Sequence, residues 1–212
     1  MNFIRKLARR FSPAMAMIHR GNALANEGDY EAAITEFDEA IARFPDFELA
    51  YYSRGAAYAQ MSKFEAAIAD YDEAIRLRPD FAQAYYHRGL AHAFSADYAG
   101  AIDDMTRALD SGLSEKYLAF GTRGSALFAL SHFDAAHADY MRAETILVGW
   151  VYARAGLAIC HHALGEVEAA RELWSGLLEK DARYADIAWV ASQFSWAEPL
   201  LAEAESLIKG LD

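Results

Sequence analysis

The sequence predicts an all-α protein: a right-handed superhelical solenoid of about five stacked helix-turn-helix repeats, closed by C-terminal capping helices. Three ladders predict it. Gly21, Gly55, Gly89 and Gly124 follow one another at intervals of 34, 34 and 35 residues. Ala33, Ala67, Ala101 and Ala136 keep that spacing, as do Ala40, Ala74, Ala108 and Ala143. Large residues recur in step, at Tyr30, Phe64, Tyr98 and Phe133 and again at Phe37, Tyr71, Met105 and Tyr140. Small residues belong where two helices approach closely, and large ones fill the space between them. One such hairpin cannot bury its apolar face alone, so neighbours must stack.

The pattern resembles the tetratricopeptide repeat, a helical hairpin of about 34 residues. Its glycine, alanine, aromatic and second alanine appear in four consecutive units. The closing proline is present as Pro45 and Pro79 and replaced by Leu113 and Val148. The units span 14–47, 48–81, 82–115 and 117–150, with one residue inserted near Lys116. A degenerate fifth, 151–184, aligns Gly165 with Gly28, Ala170 with Ala33 and Trp174 with Phe37, and puts Ala158 at the signature glycine. Residues 1–13 form a separate basic arm, and 185–212 read as capping helices. Ser195 with Glu198 has the spacing of a capping box for the last helix.

Composition narrows the function. The net charge of −11 includes Arg5, Lys6, Arg9 and Arg10, so the chain beyond residue 13 carries −15. Such a body repels a phosphate backbone, which argues against nucleic acid. The single cysteine, Cys160, can form neither an internal disulfide nor a Cys-based zinc site. The first ten residues lack an apolar signal-peptide region, and no run of 18 apolar residues is present. The expectation is a cytoplasmic protein, with the inner face of a membrane as the other location the arm allows.

Arg20, Arg54, Arg88 and Arg123 each precede a signature glycine, and sixteen residues on come Glu36, Asp70, Asp104 and Asp139. The hairpin turn lies midway, so each arginine should face its acid. In the fifth unit both positions change together, to Leu157 and Leu173. The ladder therefore reads as internal ion pairs rather than a row of anion-binding arginines. His137 and Glu144 interrupt an apolar stripe of the fourth unit, predicting a packing break before the fifth. They stand two turns apart, about 10 Å, too far for direct proton transfer. The seven histidines lack metal-ligand spacing. His92, in register with Leu24, Tyr58 and Leu127, reads as a packing residue, and His161 and His162 point to different faces. No nucleophile constellation or phosphate-cradling loop stands out. No cofactor, metal or catalytic activity is expected.

By resemblance, the first helix of each unit lines a concave groove that binds a peptide or helix of another protein. Hairpin phase assigns to it Ile18, His19 and Asn22, then Tyr52, Ser53 and Ala56, then Tyr86, His87 and Leu90. The fourth unit adds Gly121, Thr122, Ser125 and Phe128, and the fifth Tyr152, Ile159 and His162. Tyr52 and Tyr86 suit anchoring, since tyrosine pairs a rigid ring with a polar tip. A family subgroup that clamps chaperone C-termini uses lysine, asparagine and arginine at set groove positions. This chain offers Ile18, Asn22, Ser53, Gln83 and His87 there, and only Asn22 matches. The expected ligand is instead a segment with apolar anchors and basic edges.

The arm separates on a helical wheel into Phe3, Ile4, Leu7, Ala8 and Phe11 against Arg5, Lys6, Arg9 and Arg10. Ser12 and Pro13 should end it. Three readings stand: a cap or tail on the first unit, an interfacial helix on an anionic membrane, and a segment docking into another copy to form a homo-oligomer.

Overall fold

The computed structural model describes residues 2–211, with side chains from residue 13 onward. The first hairpin pairs α1 (Asn2–Asn26) with α2 (Tyr30–Arg43), the second α3 (Glu48–Gln60) with α4 (Phe64–Leu77). The third pairs α5 (Ala82–Phe94) with α6 (Tyr98–Asp110), and the fourth α7 (Lys116–Ala129) with α8 (Phe133–Ile146). α9 (Val151–Ala163) and α10 (Val167–Leu178) make the fifth. A 3₁₀ turn (Ala182–Ala185) then leads to α11 (Ile187–Phe194) and α12 (Glu198–Lys209). There is no strand among the described residues.

The signature glycines act through the space they leave. A Cβ on Gly21 would lie 2.3 Å from the Phe37 ring, and one on Gly55 3.0 Å from Tyr71. Phe37, Tyr71, Met105 and Tyr140 all pack fully buried against the glycines of their own hairpins. Ala33, Ala67, Ala101 and Ala136 are likewise inaccessible, as close helix crossing requires. Each hairpin turn needs one residue in the left-handed region. Gly28 and Gly165 adopt it at φ 86° and 80°, while Ser62, Ala96 and Ser131 are held there at 56°, 60° and 63°.

From α1 to α10 every helix packs on the next, and the first helices of successive hairpins also touch: α1 with α3, α3 with α5, α5 with α7, α7 with α9. These odd-numbered helices thus crowd the inner surface, and the second helices lie outside. At the C-terminus the chain returns to that inner side. α12 packs against α7, α9 and α10, and Trp196, Leu200, Ala204 and Leu207 join the core of the last two units. No helix of the described residues is long and apolar enough to cross a membrane.

Three expectations fail. The helix does not end at Ser12–Pro13; α1 runs through Pro13. Proline interrupts one backbone bond, and the surrounding turns carry the helix past it. The capping box is not formed, because Ser195 is the left-handed C-cap of α11 (φ 50°) and the N-cap of α12 is Ala197. Pro199 in the first turn of α12 has no N–H in need of an acceptor. Nor is there a break before the fifth unit: α8 packs on α9 as α4 packs on α5. Polar pairs replace the lost apolar stripe. His137 Nε2 lies 3.3 Å from His161 Nε2, and Glu144 accepts from Arg154 Nε at 3.0 Å and from the Gly149 amide at 2.8 Å.

Candidate functional site: the inner groove and its aromatic cleft

The arginine ladder joins the helices that carry the groove. Arg54 donates to Asp70 through Nε (2.8 Å) and Nη2 (2.7 Å), and Arg88 to Asp104 at 2.8 and 2.6 Å. Arg123 binds Asp139 at 2.6 and 2.9 Å. Arg20 donates through Nε and Nη2 to one oxygen of Glu36, Oε2, in a pair more exposed to solvent. Each inner arginine has a further role. Arg54 reaches Asp38 and Arg88 reaches Asp72, both at 2.5 Å, while Arg123 donates to Thr106 at 2.8 Å. One guanidinium thus ties its own hairpin to the outer helix of the preceding one. Hydrogen bonding to Asp70 and Asp104 raises the Arg54 and Arg88 pKa values. With their donors engaged, these arginines are scaffold rather than ligand sites.

The N-terminal part of the groove is a shallow depression of about 370 Å³ between α1 and α3. Exposed Asn22 and Asn26 line one side, and Ala56 and Gln60 the other. Ser53 is buried in its floor. Tyr52 is more deeply committed than an anchor should be. Its ring packs on Phe81 (4.9 Å), Tyr71 (6.0 Å) and His87 (5.6 Å), so much of its surface serves the stack. His87 sits among Tyr52, Tyr71 and Tyr86, and burial pushes its pKa down.

The C-terminal part is deeper, a cleft of about 480 Å³. Tyr86, Leu90 and Ala93 of α5 face Thr122 and Ser125 of α7 across it. Burial raises the Tyr86 hydroxyl pKa to about 12. Trp150 and Tyr152, stacked at 5.1 Å, form the inner wall. Gly121 makes room for them, since a Cβ there would lie 2.7 Å from Trp150. Units two and three carry Tyr52 and Tyr86 in that register; here a tryptophan from the next unit fills the space. Ser125 Oγ bonds the hydroxyls of Tyr140 (2.8 Å) and Tyr152 (2.6 Å), fixing the floor. The remaining wall, Phe194–Ala197, is the turn between α11 and α12.

Other predicted groove residues are not free. Phe128 is buried against Phe133, with ring centroids 4.9 Å apart. Ile159 is inaccessible, and His162 Nδ1 meets Glu203 of α12 at 2.5 Å. The fold-back of α12 covers this end of the groove. Sequence periodicity missed it because the covering residues follow no repeat. His161 instead meets Glu166 and His137, as its opposite direction requires. His92 is no simple packing residue, since its Nδ1 lies 2.9 Å from Asp97. The side chains of the arm, Phe3, Ile4, Arg5, Lys6, Leu7, Arg9 and Arg10, lie outside the described residues. Among those described, no cluster of His, Cys, Asp and Glu could hold a metal ion. Cys160 is buried, and its thiol pKa is raised far above the usual range by desolvation.

A stack of small-to-large helical hairpins with an open inner face defines a repeat protein of the superhelical class. A family model described as TPR repeat matches residues 21–62 and 58–93. Residues 21–93 are therefore tetratricopeptide repeats, and the hairpins after them continue the same helical stack. Among solved structures it is similar to MamA, with 21% identity over 81% of this chain and 93% of that one, at a TM-score of 0.72. YrrB, a TPR protein with an unusual peptide-binding site, shares 23% identity over 82% of this chain and 91% of its own, at a TM-score of 0.64. The second TPR domain of human RPAP3, in complex with the HSP70 peptide SGPTIEEVD, shares 29% identity. That match covers 53% of this chain and 93% of the domain, at a TM-score of 0.51. No curated protein matches the chain.

Proposed function

We propose that the protein is a non-catalytic adaptor that binds a peptide or helical segment of a partner protein in its inner groove. The supporting observation is the cleft that opens along that groove, walled by Tyr86, Leu90, Trp150 and Tyr152 and lined by no charged side chain. The arginines that could have captured a terminal carboxylate are engaged by Asp70, Asp104 and Asp139. The peptide complex of the similar RPAP3 domain favours a peptide as the ligand. Asn22, Tyr86, Leu90 and Ser125 would face the segment, with Tyr52, Ser53 and His87 supporting that surface from within. A preformed scaffold binds without a large ordering cost.

The test is a lysate pull-down that compares wild type with Ala56→Lys and Tyr86→Ala, using Glu65→Lys on the outer helix α4 as control. The reading predicts specific partners that both groove variants lose and the control keeps. Partners captured equally by all four proteins contradict it.

A further inference from the structure

We infer that the cleft is the anchor subsite of this groove and takes one bulky, uncharged side chain of the partner segment. The inference rests on the groove reading and goes beyond it, because the cleft's far wall comes from outside the repeats.

Four aromatic rings enclose the space beside Tyr86 and Leu90. Tyr152 meets Trp150 at 5.1 Å, Phe194 at 5.4 Å and Trp196 at 5.9 Å, and Phe194 packs on Trp196 at 4.8 Å. Trp196 is 6% exposed and leads into α12, whose Leu200 and Ala204 are fully buried. The wall is therefore anchored in the core rather than resting loosely on the groove.

The polar groups of the cleft exclude most other ligands. Ser125 is spent on Tyr140 and Tyr152, and Thr122 stands beside the Tyr86 hydroxyl. Trp196 Nε1 is buried beside the Tyr152 hydroxyl. A polar small molecule would trade its water for very little. A strongly hydrated ammonium or guanidinium would find rings but no carboxylate among the lining residues, so little would replace its water. An anion would find no cation there. An indole, phenyl or branched aliphatic group loses nothing on entry and gains contact on several sides. A volume of about 480 Å³ accommodates one such group, and the groove accommodates the chain that carries it.

The test is selection from a random peptide library displayed on phage, against wild-type protein, Ala56→Lys and the cleft-filling Ala93→Trp. Circular dichroism confirms that each variant is folded. The expected result is enrichment of peptides sharing one Trp, Phe, Leu or Met. Replacing that residue with Ala should weaken binding to wild type by about tenfold or more. Ala93→Trp should weaken it by a similar factor. The peptide substitution needs only wild-type protein, so it decides the matter even if Ala93→Trp does not fold. Enrichment of Lys or Arg at the shared position, or an anchor replaceable by Ala without loss, overturns the inference and leaves the groove reading standing. If no peptide is enriched, or if enriched peptides bind Ala56→Lys and Ala93→Trp as they bind wild type, both fail.

Discussion

Arg88 holds Asp104 through two parallel hydrogen bonds, of 2.8 and 2.6 Å, between the two helices of the third hairpin. Asp104 is 2% exposed, and the same guanidinium crosses to Asp72 of the hairpin before. Removing the arginine strands a buried carboxylate. Arg88→Leu should destabilise the protein by about 3–5 kcal/mol. Arg88→Leu with Asp104→Leu, which copies Leu157 and Leu173 of the fifth unit, should recover most of that loss. Urea denaturation of the two singles and the double closes the cycle. The exposed Arg20–Glu36 pair should scarcely move the midpoint when broken.

The fifth unit carries one of the tight glycine–ring contacts of the stack. A Cβ on Gly156 would lie 2.4 Å from Tyr140, whose buried hydroxyl is held by Ser125. The ring cannot retreat, so Gly156→Ala should cost about 1–3 kcal/mol by overpacking. Gly176, in the last turn of α10 with nothing within 4 Å of its Cβ position, is the control. Gly176→Ala should stabilise by about 0.5–1 kcal/mol. Thermal unfolding of the two variants should shift in opposite directions.

The hairpin turns offer a second backbone test. Ala96 sits at φ 60°, where Gly28 and Gly165 supply glycine. Ala96→Gly relieves a left-handed strain of about 1–2 kcal/mol and loses part of it to chain entropy. The net expectation is a small rise in unfolding midpoint, and Gly28→Ala should lower it.

Acid should weaken the fold through two histidines. Burial lowers the pKa of His87, and burial followed by the nearby His161 lowers that of His137. Between each folded value and the unfolded value of about 6.5, the unfolded chain binds more protons. Their contribution is therefore full above about pH 6.5 and shrinks as pH falls below it. His87→Phe and His137→Leu should each flatten the stability profile below pH 6.5, measured by urea midpoints across pH.

The first four hairpins were legible because each depends on a size contrast that sequence displays: Gly21 against Phe37, Gly55 against Tyr71, Gly124 against Tyr140. The arginine–acid pairs were legible for the same reason, since both partners recur together and both change together at Leu157 and Leu173. The aromatic cleft was half legible. Tyr86 and Ser125 fall in repeat register, but Trp196 reaches the cleft through the fold-back of α12, a tertiary contact with no period. His137 and Glu144 misled because a polar residue on an apolar stripe signals disruption unless its partner is known. Their partners, His161 and Arg154, lie on the next hairpin.

The central claim is that a partner segment lies along α1, α3, α5 and α7. Amide hydrogen exchange, with and without a peptide selected on the wild-type protein, tests it most directly. The account predicts slower exchange at the ends of those helices and in the Phe194–Ala197 turn, with α2, α4 and α6 unchanged. Protection confined to α2, α4 and α6, on the outer face, would contradict it.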